Sequence, residues 1–162
     1  MSTPLPRRRA GAAMRLGSAV VAVVALGLLA GGCASMRGGV EGDFERAAQQ
    51  IASAAVSSQL SVTAYADGRT TVAATETALA DMLEEVDQAA SSTADRQVDT
   101  RDQVQLRAEV LRWADTVTGD IVRGRDIVTG VGQPADLPQV AAGLGDAGAH
   151  LQMLADRLKA AQ

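Results

Sequence analysis

The chain contains one histidine, one cysteine and one tryptophan, so any chemistry must be built around very few side chains. His150 lies four residues after Asp146, and on a helix the two share a face. Asp-x-x-x-His could orient an imidazole as a general base. Nucleophilic catalysis, however, also needs a nucleophile within the base's reach, and no Gly-x-Ser-x-Gly elbow accompanies the pair. The expectation is therefore an ordinary i, i+4 surface pair and no enzyme. Di-iron bundles use two Glu-x-x-His motifs, and this chain has none. One Cys and one His cannot make a structural zinc site or a disulfide framework. Asp67-Gly68 lacks the alternating Asp and Asn of a calcium loop. Glu84-Glu85 with Asp87 is expected to be a solvated acidic face. Arg123-Gly124-Arg125 is expected to neutralise Asp120 and Asp126. No catalytic residue, metal or cofactor is expected.

Trp113 is large in a domain of small residues. Two roles are open for it: a plug in the core, or a contact with a partner or apolar ligand, since Trp is enriched at interaction hot spots.

Cys33 is the more informative side chain. Before it come Arg7, Arg8, Arg9 and Arg15, an uncharged and mostly apolar stretch over 16–30, and then Gly31-Gly32. A basic start, a short apolar core and small residues before a cut site describe a secretory signal. Fifteen residues are short for a spanning helix, which needs about 20. A retained anchor extending into the small residues after Gly31 is one alternative, and twin-arginine export through Arg7-Arg8 is another. The segment Leu28-Leu29-Ala30-Gly31-Gly32-Cys33 resembles the lipobox of bacterial lipoproteins. Ala30 stands where Leu is commonest in that family. The resemblance covers residues 1–33. It implies cleavage between Gly32 and Cys33 and acylation of Cys33. The bilayer, reached through that lipid, would then be the first partner, and the mature protein would sit on the extracytoplasmic face of the cell membrane. The mature part resembles small Ala-rich helical lipoproteins of high-GC Gram-positive bacteria.

The chain has 162 residues, enough for one domain beyond the leader. Alanine makes up 32 of them and only three are aromatic (Phe44, Tyr65 and Trp113), which argues against a β-sandwich or barrel. Residues 33–162 hold ten Arg, one Lys and nineteen acids, a net charge of 11 − 19 = −8. Such a domain repels phosphate backbones, so nucleic acid is not an expected partner.

Periodicity supplies the elements that must hold these side chains. Residues 33–42 read as the lipidated Cys and a short tether, and 43–162 as the folded domain. Phe44, Ala48, Ile51, Ala55, Ser58, Val62 and Tyr65 follow 4-3 helical spacing, with Asp43 as the expected N-cap and Asp67-Gly68 as the stop. The Asp-Gly pair between β-branched residues also permits a hairpin over 62–72. A second helix is expected over 71–90, on Val72, Thr75, Leu79, Met82, Val86 and Ala89, followed by a loop over 91–100. A third begins near Asp99 or Thr100 and carries Leu106, Val110, Trp113, Val117, Ile121 and Val128. Gly and Pro break the chain over 129–135. Asp136 is then expected to cap a fourth helix with Pro138 in its first turn and a seam of Val140, Leu144, Ala147, Leu151, Leu154 and Leu158. Gly143, Gly145 and Gly148 are expected to permit close approach to a neighbouring helix.

These elements predict an all-α, up-down-up-down four-helix bundle. The expected function is a non-catalytic structural or interaction module presenting a helical surface to an envelope protein. A bundle holding a small apolar or cationic ligand is the alternative. Self-association is also open, because an Ala-rich seam can serve a second chain.

Overall fold

The computed structural model describes residues 38–162. Four α-helices follow in order: α1 (Gly39–Ala66), α2 (Val72–Ala94), α3 (Arg101–Val128) and, after a 3-10 turn over Pro134–Asp136, α4 (Leu137–Ala160). No strand occurs among the described residues. The chain is an all-α four-helix bundle.

Helix α1 starts four residues earlier than its sequence suggests. Gly38 precedes it at φ 111 with no side-chain cap, and Asp43 lies inside the helix. The carboxylate of Asp43 is engaged by Arg46, one turn on, and by Arg96 from beyond α2. The first turn, Gly39-Val-Glu-Gly42, is poor in helix propensity, but tertiary contacts hold it. Val40 packs against the core, and Gln103 Nε2 of α3 donates to Glu41 Oε1 at 2.8 Å. Residues 39–42, expected as tether, are thus part of the bundle.

The 62–72 segment is helix, turn and helix, so the hairpin is excluded. Arg69 N–H donates to Ala64 O at 2.8 Å and Gly68 N–H to Tyr65 O at 2.9 Å, with Gly68 at φ 67. This paired closure satisfies the last carbonyls of α1 and needs the left-handed conformation that Gly adopts freely. Helix α3 ends the same way: Val131 N–H reaches Asp126 O and Gly130 N–H reaches Ile127 O, with Gly130 at φ 88.

Thr71 and Thr100 cap α2 and α3, each Oγ1 accepting from the backbone N–H three residues on (Ala74 and Gln103) at 3.2 Å. Helix α2 continues to Ala94 because the seam continues: Thr93 is buried and donates its hydroxyl to Ala89 O at 2.8 Å. The loop expected over 91–100 is shortened to the residues after Ala94. Asp136 does not cap α4 with its side chain. It closes the 3-10 turn that leads into α4 without a break in helical handedness.

The expected seams form the core. Phe44, Ile51, Val62, Leu79, Val86, Val110, Val117, Ile121, Leu144 and Leu151 are fully buried. Val72 is an exception and is exposed, while Met82, Leu106 and Leu158 are half-buried at the edge. Helix α1 packs against all three others. Contacts between consecutive helices run in opposite order. Arg96 meets Asp43 while Gln50 meets Glu85, Arg125 meets Glu76 while Arg107 meets Arg96, and Arg157 meets Glu109 while Gly143 faces Asp120. Each helix therefore runs against the next, in the up-down-up-down sense.

Glycines set the closest approaches. A Cβ on Gly148 would lie 3.0 Å from Val56 Cγ2 and 3.5 Å from the Ala52 carbonyl, so α4 rests on the backbone of α1. Gly124 occupies the crossing of all four helices. A Cβ there would lie 3.2 Å from Val62, 3.3 Å from Val140 and 4.0 Å from Leu79. No helix of the described residues is long and apolar enough to cross a membrane.

Candidate functional site

Helix α3 packs against α4, and Leu106, Val110, Trp113 and Val117 lie along one stripe of α3. Trp113 lies at the edge of this contact, half-buried and packed against the core. It is not an enclosed plug. Its ring stacks on the imidazole of His150 with centroids 4.3 Å apart and planes inclined by 28°. The Arg112 guanidinium lies 5.6 Å from the indole centroid, within range of a cation–π contact.

His150 does not pair with Asp146 as its spacing suggested. Its Nε2 lies 3.5 Å from Glu109 Oε1, one turn before Trp113 on α3. Glu109 Oε1 also lies 3.5 Å from Arg157. The rim of the α3–α4 seam thus carries this stack, with the Glu109 carboxylate beside it. Neither the indole N–H nor His150 Nε2, both shielded from solvent, has a hydrogen-bond partner.

Glu84, Glu85 and Asp87 are all exposed. Among the described residues no group of His, Cys, Asp or Glu is arranged to hold a metal ion. Arg123 Nη1 lies 3.3 Å from Asp120 Oδ1, as expected, but Arg125 crosses to Glu76 of α2 at 3.2 Å rather than turning to Asp126. Burial holds the Asp120 carboxyl above the ordinary aspartate range, against the opposing pull of Arg123. Its Oδ2 sits where a side chain on Gly143 would begin. Glu41 is held below the usual range by the Gln103 hydrogen bond and, after it, by a bond to its own backbone. Cys33 and Gly32 lie outside the described residues.

Sequence reasoning missed the Trp113–His150 stack because the partners sit on different helices, 37 positions apart. The one available signal was shared register: both fall on the inward edge of their helical stripes. Trp113 does not line the larger grooves along α1. The one between α1 and α4 has a volume of about 500 Å³ and is lined by small and uncharged residues, among them Ala52, Ser53, Val56, Gly145, Gly148 and Ala149. Comparison with protein-family models, curated proteins and solved structures finds no match to this chain.

Proposed function

We propose that this protein is a lipid-anchored extracytoplasmic lipoprotein whose helical bundle is a non-catalytic interaction module for an envelope protein. The observation that carries the reading is Gly31-Gly32-Cys33 at the end of a short apolar run behind a basic start, with Cys33 the sole cysteine. In the lipoprotein family that cysteine receives a diacylglycerol thioether and becomes the first residue. Each buried methylene of such an anchor contributes about 0.8 kcal/mol, and two chains hold where one is marginal.

Two further features support the reading. Helix α1 begins at Gly39, six residues after Cys33, and six residues reach at most ~20 Å when extended. The module would therefore work close to the bilayer. Its net negative charge disfavours lying flat on anionic lipid, which leaves the helical sides facing outward. The test is in-cell crosslinking of a C-terminally tagged chain, followed by mass spectrometry. Reproducible capture of one envelope protein, lost in Cys33→Ala, is the expected result. Capture of no envelope protein contradicts the partner role and turns attention to small ligands.

A further inference from the structure

Asp67-Gly68 is the chain's one Asp-Gly pair, and it lies in the connection between α1 and α2. Glycine has no side chain to shield its nitrogen, so this is the pair in which a main-chain nitrogen most readily reaches the preceding carboxyl. The chemistry is a ring closure. The Gly68 nitrogen attacks Cγ of the protonated Asp67 side chain. The N–Cγ bond forms, and the hydroxyl of the acid leaves with the amide proton as water. Water then opens the succinimide at either carbonyl. Opening at Cγ restores aspartate, and opening at the main-chain carbonyl gives isoaspartate. The water lost is the water regained, so mass is unchanged and no other reactant is needed.

The folded turn opposes this reaction by geometry. Ring closure needs Cβ and the Gly68 nitrogen nearly eclipsed about the Cα–C bond of Asp67. At ψ 1 the nitrogen of Asp67 itself takes that eclipsed place, and a tetrahedral Cα holds Cβ well round the bond. Turning ψ to bring the two together breaks the bonds from Gly68 N–H to Tyr65 O at 2.9 Å and from Arg69 N–H to Ala64 O at 2.8 Å. The first of these also holds the proton that must leave. The carboxylate is engaged as well: Asp67 Oδ2 accepts from Arg69 Nη2 at 2.8 Å and from Nε at 3.3 Å. Exclusion of water gives no protection, because the Asp67 side chain is 54% exposed.

We propose that Asp67-Gly68 is a site of spontaneous isomerisation masked by the α1–α2 closure, so that isoaspartate forms there only when the closure opens. Local openings of this kind cost less than global unfolding. Isoaspartate adds one methylene to the main chain between the Asp67 Cα and the Gly68 nitrogen. The Gly68 and Arg69 N–H groups then no longer meet Tyr65 O and Ala64 O together, and the last carbonyls of α1 lose their partners. Each conversion therefore leaves the turn open. The proposal does not depend on lipid attachment.

The test is ageing of the purified full chain in detergent, at neutral pH in heavy-oxygen water, with position 67 followed by peptide mass spectrometry. Each passage through the ring leaves one solvent oxygen at that residue. Label and isoaspartate are expected to accumulate there in the chain unfolded by denaturant, and at least roughly tenfold more slowly in the folded chain. Arg69→Pro removes the Arg69 N–H donor and should raise the rate in the folded state while circular dichroism stays helical. If that variant loses its helicity, denaturant added to the parent below its unfolding transition takes its place, and the rate should rise before helicity falls. No isoaspartate in the unfolded chain, equal rates in the folded and unfolded chains, or a folded-state rate unmoved by either way of opening the turn overturns the proposal.

Discussion

At the scale of single residues, the Trp113–His150 stack and the Asp120 carboxyl make distinct demands. Stacking of π-systems is worth about 0.5–1.5 kcal/mol beyond the area it buries. His150→Ala should therefore destabilise the bundle by about 1 kcal/mol in denaturant unfolding, with a shift in Trp113 emission, since this is the sole tryptophan. Asp120 tests the electrostatics. Its folded-state proton affinity is raised, so the native state holds that proton more tightly than the unfolded chain. Stability is then unaffected below the unfolded pKa and falls as pH rises through the folded one. At neutral pH the ionised, desolvated carboxylate is a cost that Arg123 offsets in part. Asp120→Asn should raise Tm at pH 7 and leave it nearly unchanged near pH 3, as thermal melts at both pH values would reveal. A lower Tm at pH 7 would mean that the Arg123 pair outweighs burial.

The helices are the scale on which the sequence was most legible. The 4-3 spacing of apolar residues located all four, and Phe44, Ile51, Val62, Val110, Ile121 and Leu151 stand where it put them. Caps were legible where the chemistry is local. Gly68 supplies the left-handed closure expected of it, and the helix starts expected near Thr71 and Thr100 are capped by those hydroxyls. They were illegible where a partner decides. Asp43 looks like a cap in one dimension and is an ion-pair hub in three, because Arg96 arrives from another helix. His150 looked like the partner of Asp146 for the same reason, since local spacing does not show Glu109. Thr71→Ala and Thr100→Ala should each cost about 1 kcal/mol, whereas Asp136→Ala should be nearly neutral, as chemical denaturation can measure. The glycines separate equally well. Gly119 is exposed with nothing within 4 Å of an added Cβ, so Gly119→Ala should stabilise α3 by about 0.5–1 kcal/mol. Gly124 stands at the four-helix crossing, where Gly124→Leu should destabilise by about 1–3 kcal/mol or more through overpacking.

For the molecule as a whole, an Ala-rich core and glycine contacts bring the helices close together, and the acidic surface is interrupted along one helix. The bundle has faces of different chemistry: an α3–α4 rim with the Trp113–His150 stack, an ion-paired end around Asp43 and an uncharged stretch of α1. What the proposed function adds is a position, set by the residues before the bundle. That position rests on the chemistry of Cys33. The decisive measurement is intact and amino-terminal peptide mass spectrometry of the protein extracted from cell membranes, compared with Cys33→Ala. The account predicts a mature chain that begins at Cys33 and carries a diacylglycerol mass, with the variant uncleaved or released from the membrane. An unmodified peptide running through Gly32-Cys33, or the same membrane partition in Cys33→Ala, would contradict it.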